Sequence, residues 1–269
     1  MDIQHANTRN LKIILAYDGA EFHGWQVQPE VRTVQGTLAD CLKRLTGEDV
    51  LPQGSGRTDA GVHALGQVAS VRLRNPMPES NLVIALNDVL PASLRATSVE
   101  TVSEDFHARH SAKAKTYRYR IYRGDICPPF LARYVFHNPY PMNEEAMMRA
   151  SECIVGTHDF TSFAASDPDR SARMAEAEEQ DPTSRFGKSG NVRTIHSSQW
   201  ARTSDELVYT VRGDGFLHHM VRNLVGTFLL VGKGSLKIAD VPAILQARNR
   251  SAAGPTAAAC GLYLVSVEY

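Results

Sequence analysis

A chain of 269 residues, 43% apolar and 22% charged, carries enough hydrophobic material for one large or two medium cores, which excludes bulk disorder. Its 29 basic and 29 acidic residues cancel, so affinity for a polyanion must come from local asymmetry of charge rather than from the whole. The four cysteines lie far apart with no C-x-x-C spacing, the first residues lack the plan of a signal peptide, and the longest apolar run, Leu224 to Val231, is too short for a bilayer. The expectation is therefore a cytoplasmic protein with no disulfide framework, no zinc site and no membrane attachment.

Residues 1–10 are polar and read as a disordered N-terminal extension. Leu11 to Tyr17 reads as a strand ended by Asp18-Gly19, after which Thr33 caps a helix. The helix's apolar positions Val34, Leu38, Cys41, Leu42 and Leu45 recur at helical spacing until Gly47 stops it. Val62 to Arg74 suits a longer strand, Ser80 opens a second helix through Leu90, and Leu94 to Val102 suits a closing strand. These elements make an N-terminal α+β half over 11–105.

The C-terminal half, 106–269, repeats the plan loosely. It opens with a strand at Thr116 to Arg123 and a helix from an Asn143 cap to Gly156. A strand pair around Val192 to Trp200 and Leu207 to Arg212 follows, then helices and a last strand at Gly261 to Tyr269. Pro168 to Gly190 holds Pro, Ser, Gly and charges without periodicity and reads as an exposed, mobile loop. Strands alternating with helices also fit a doubly wound parallel sheet, but the hairpin signal at Thr203-Ser204-Asp205 and the long unbroken strands favour an antiparallel-rich sheet.

Three segments carry candidate chemistry. Gly54 to Ala64 is a glycine-bracketed loop offering the Asp59 carboxylate beside the Arg57 guanidinium. A tight turn in which these side chains cap backbone groups is one reading; a phosphate cradle is a weak one, because no Lys-Ser/Thr pair follows the glycines. In Gly213 to Gly226, helical spacing puts Phe216, Met220, Leu224 and Phe228 on one stripe and Val221, Val225 and Leu229 on another. Arg222 lies among them: it makes an internal ion pair, snorkels to the helix surface, or partners Asp59, whose charged state it would favour. In Phe106 to Ile121, alternation puts Tyr117, Tyr119 and Ile121 on one face of a strand and Arg118 and Arg120 on the other. From Phe106 to Arg123 there are six lysines and arginines and no acid at all, which suits either a solvated face or RNA, whose phosphates bind cations and whose unpaired bases stack on aromatic rings. His218 and His219 are adjacent and would diverge on a helix, so they do not make a metal site, and His63 and His107 read as structural or RNA-contacting.

The string Gly54 to Ala64 resembles the catalytic loop of the TruA family of tRNA pseudouridine synthases, G-R-T-D-A-G-V-H-A. Phe216 to Gly226 is similar to its F-x-x-x-M-V-R-x-x-x-G element, and Phe106 to Tyr119 to its F-H-A-R-x-S-A-x-x-K-x-Y-x-Y element. Pro255 to Tyr269 resembles its A-P-x-x-G-L-x-L-x-x-V-x-Y ending, with extra alanines before Cys260. The resemblance implies an α+β pseudouridine synthase fold: two RRM-like halves, a mostly antiparallel mixed sheet flanked by helices, and a central cleft. It implies isomerisation of uridine at positions 38, 39 and 40 of the tRNA anticodon stem-loop, without metal or organic cofactor, by a homodimer in which one tRNA contacts both subunits. Asp59 would be the nucleophile, Arg222 its partner, and Tyr117 the ring that packs on the target base. Arg57 is the candidate to fill the space left by an extruded base or to grip a phosphate. The competing classes are a non-catalytic RNA-binding module of the same fold and a carboxylate-based hydrolase. The hydrolase needs a second catalytic carboxylate, and Asp214, set between glycines, reads as a turn residue.

Overall fold

The computed structural model describes residues 8–165 and 190–269. The expected loop at 168–190 therefore lies outside the described residues except for Gly190, as does the N-terminal extension up to residue 7. The chain forms two compact units: one comprises the residues up to Arg118 with Pro129–Val135 and Ala259–Tyr269, the other Tyr119–Pro128 and Phe136–Ala258.

In the first unit, strand β1 (Arg9–Tyr17) pairs antiparallel with both β3 (His63–Leu73) and β4 (Leu94–Val102). It starts two residues before the sequence reading, at Arg9. Alternation buries Leu11, Ile13, Leu15 and Tyr17 on one of its faces. The short β2 (Gln53–Gly54) adds antiparallel to β3, setting Gly54 opposite Ala69. Helix α1 (Val34–Thr46) is capped as its sequence demands: Thr33 accepts the Gly36 N–H, and Gly47 ends the helix at φ 76°. Helix α2 (Glu79–Val89) follows Pro78 and packs against α1 and β4.

The last strand, β10 (Leu262–Glu268), pairs parallel with β3, Tyr263 opposite His63 and Leu264 opposite Ala64. The two units divide the chain differently from the halves 11–105 and 106–269. The C-terminal strand lies in the first unit, where it supplies β3 with a parallel partner.

Strand β5 (Ala114–Tyr122) begins in the first unit and ends in the second. In the second unit it neighbours β9 (Glu206–Gly213), followed in order by β8 (Val192–Thr203) and β7 (Gly156–Asp159), while β6 (Phe136–His137) adds parallel to β5. The hairpin of β8 and β9 turns through Ser204 and Asp205, with Ser204 at φ 48°, as the sequence signal requires. Helix α3 (Glu144–Glu152) is capped by Asn143 and packs against β8 and α4 (Met220–Gly232), and α5 (Asp240–Ala247) completes the unit. Trp200, Tyr209 and Phe228 make the aromatic centre of its core. Both units are thus mostly antiparallel sheets with helices, an α+β architecture. Among the described residues no helix is long and apolar enough to cross a membrane.

Candidate active site

The loop from Gly54 to His63 is held from below by buried polar groups of the first unit. Ser55 N–H donates to Val68 O at 2.7 Å and the Ser55 hydroxyl to Gln67 Oε1 at 2.7 Å. The Gln67 amide donates to Gly56 O at 2.9 Å, and Lys115 Nζ, reaching over from β5, donates to Ser55 O at 2.5 Å. Thr58 is fixed twice: its carbonyl accepts Trp25 N–H at 3.0 Å, and its hydroxyl shares a 2.8 Å hydrogen bond with Tyr17. Val62 N–H then donates to Asp59 O, closing a turn whose third residue, Gly61, sits at φ 78°, a conformation that glycine adopts without strain. The turn leaves Asp59 half-buried at its head, with Arg57 half-buried two residues before it.

Tyr117 is buried on β5, and burial pushes its phenol well above the ordinary tyrosine value. The neighbouring Tyr17 hydroxyl and the Asp59 charge push it in the same direction, so these three side chains share one electrostatic neighbourhood. Tyr17 is pushed up to about 12 by burial, against the opposing pull of its hydrogen bonds to Thr58 and Gln67. Both phenols keep their protons at neutral pH, and the site presents one carboxylate beside two O–H groups.

The two histidines of this unit's motifs accept backbone N–H groups, and burial disfavours their charged forms. His63 is buried, its Nδ1 accepts the Gly19 N–H, and its Nε2–H is thereby left to donate to Arg133 O at 3.1 Å. Burial lowers its pKa; Asp18 Oδ1, 3.3 Å from Nδ1, pulls the other way and is outweighed. His107 accepts the Arg109 and His110 N–H groups on Nδ1, and burial, together with the charges of His110 and Arg109, lowers its pKa to about 4.

Arg222 belongs to the second unit, half-buried in the first turn of α4. Its Nε donates to Ala257 O at 2.7 Å, and its own carbonyl accepts Ala257 N–H at 3.1 Å. The helix is shorter than the stripe pattern implies: it starts at Met220, so Phe216, His218 and His219 precede it. Glycines at 213 and 215 break the periodicity, and His219 at φ 59° stands outside helical conformation. The basic run is also less free than its composition implies. Arg120 is paired with Glu206 through Nε at 2.7 Å and Nη2 at 2.5 Å, and Arg123 with Glu144 at 3.3 Å.

The fold thus gathers Asp59, Arg57 and Tyr117 in the first unit, and Arg222 belongs to the second. Sequence reading missed Tyr17, Thr58 and Gln67, whose partners lie 41 and 50 residues apart along the chain. Lys115 was visible as the lysine of the F-H-A-R-x-S-A-x-x-K-x-Y string, but nothing local tied it to the loop.

Residues 13–111 and 150–269 match the family described as tRNA pseudouridine synthase. A tRNA pseudouridine synthase A of Solibacter usitatus is 51% identical over 261 residues, which is 97% of this chain and 100% of that protein. One of Moorella thermoacetica is 45% identical over 261 residues, 96% of this chain and 99% of that one. A chain of the solved Cbf5-Nop10-Gar1 complex aligns at a TM-score of 0.30 and 13% identity over 81% of this chain and 54% of that one, too slight a likeness to carry weight. The chain belongs to the TruA family of tRNA pseudouridine synthases, isomerases that convert uridine to pseudouridine.

Proposed function

We propose that this chain isomerises uridine to pseudouridine in the anticodon stem-loop of tRNA, with Asp59 as the nucleophile, and that it works as a cytoplasmic homodimer. The observation that carries the reading is the setting of Asp59: one carboxylate at the head of a turn braced from beneath, in a neighbourhood it shares with two buried, protonated phenols. The reaction breaks the bond from N1 of uracil to C1′ of the ribose and forms one from C5 to C1′; C5 loses a proton and N1 gains one, so nothing is oxidised or reduced. Ionised Asp59 serves this either by attacking or by stabilising positive charge at the sugar.

The resemblance assigns Arg222 as the cation that keeps Asp59 charged and oriented, and Arg57 as the group that fills the place of the extruded base or grips its phosphate. Tyr117 is assigned the flipped base. Its raised pKa supports a packing ring with an O–H donor and disfavours a standing phenolate base.

The test is to incubate the protein with unmodified tRNA, treat the RNA with carbodiimide and map reverse-transcription stops. Stops in the anticodon arm are expected. Binding without stops would assign a non-catalytic RNA-binding module, and release of free uracil would assign a hydrolase.

A further inference from the structure

We propose that Tyr17 is a positioning residue for the isomerisation: its hydroxyl, bonded to Thr58, fixes the turn that carries Asp59. The inference rests on the assignment of Asp59 as nucleophile. Tyr17 ends β1 at 5% exposure, and its hydroxyl lies 2.8 Å from the Oγ1 of Thr58, itself 6% exposed. The Nε2 of Gln67, 0% exposed, approaches the same hydroxyl at 3.5 Å, while the amide also holds Ser55 and Gly56 and accepts the Val68 N–H. One buried chain of polar groups therefore runs from β3 through the end of β1 to the residue immediately before Asp59.

Packing alone gives no reason for a hydroxyl here. The Tyr17 ring already meets Phe22 edge-on at 6.3 Å between centroids, a contact phenylalanine would make as well. The backbone supplies an independent observation. The ladder of β1 with β3 shifts register between Leu15 and Tyr17, and that with β4 between Ile14 and Leu15. In both, the extra residue lies on the partner strand, so β1 carries its inward alternation through to Tyr17 while β3 bends next to Gln67.

The experiment compares Y17F, T58V, T58S, the double variant Y17F/T58V and D59N in single-turnover pseudouridine formation on an unmodified tRNA transcript, alongside tRNA affinity and thermal midpoint. Y17F and T58V should each slow the step about 10- to 100-fold, the range expected when a reacting group is slightly misplaced. Their affinity for tRNA should stay within about twofold of wild type, since only the transition state is affected. The double variant should be no slower than the slower single one, because both cut the same bond. T58S, which keeps the hydroxyl, should restore the rate. If Y17F is unfolded at the assay temperature, T58V against T58S carries the test alone, and equal rates for the two overturn the proposal. A wild-type rate in Y17F, a loss of affinity in place of rate, or a double variant slowed by the product of the single effects also overturns it. Turnover by D59N removes the assignment on which the inference rests, whereas a wild-type rate in Y17F beside an inert D59N removes the inference alone.

Discussion

The loop that carries Asp59 and the helix that carries Arg222 are held by different means. The loop is braced by a few directed hydrogen bonds: Gln67 to Gly56, Tyr17 to Thr58, Trp25 to Thr58 and Lys115 to Ser55. Helix α4 is held by close packing of nearly its whole circumference, with Gly226 pressed on the backbone of Pro255 and the buried Asn223 joining Phe163 O, Arg250 and Thr256. Placement by packing is spread over many contacts, each worth little alone. Placement by hydrogen bonds is concentrated, so single changes in the loop should act on rate and single changes at the helix, Arg222 aside, on stability.

The sharpest way to break that contrast is Gly226→Ala. A Cβ there would lie 1.7 Å from Pro255 O, which can be relieved only by moving backbone. We expect a loss of about 3 kcal/mol or more in urea denaturation, at the upper end for overpacked sites. Asn223→Ala comes next, at roughly 2–3 kcal/mol, because the fully buried amide's bonds with Phe163 O, Arg250 and Thr256 are all lost. At a temperature where the variant is folded its turnover should approach that of wild type; a large fall in turnover with unchanged stability would erase the distinction.

Gly61→Ala tests the other side. A side chain at that positive φ costs about 1–2 kcal/mol, yet the single-turnover rate should fall about tenfold or more, because the turn carries Asp59. The smallest expected effect lies at His107. Its pKa is lowered by burial to about 4, so the stability it contributes is fully present above the ordinary histidine value near 6.5 and is lost as pH falls toward 4. His107→Asn keeps an acceptor for the turn, and its stability should fall less steeply than that of wild type over that window in pH-dependent denaturation.

Much of this organisation was legible along the chain because the signals are local. Thr33 and Gly47 bound α1 as capping chemistry dictates, Asn143 caps α3, and the alternation in β5 buries Tyr117, Tyr119 and Ile121 as expected. The Asp59 loop announced itself through its glycines. What stayed hidden depends on distant partners. Tyr17 is, by its neighbours, an ordinary inward residue of β1, and only the folded chain joins it to Thr58. Periodicity carried the reading of α4 back to Phe216, because apolar spacing continued past the point where Gly213, Gly215 and His219 release the backbone from helix. The return of β10 to β3 is a tertiary pairing with no sequence signal of its own.

The central claim is that the braced turn exists to present one carboxylate to uridine, and the most direct measurement is pseudouridine formed by D59N in an unmodified anticodon-stem transcript, with tRNA binding measured in parallel. The account predicts no detectable pseudouridine while affinity for tRNA persists. Appreciable turnover by the variant would contradict it.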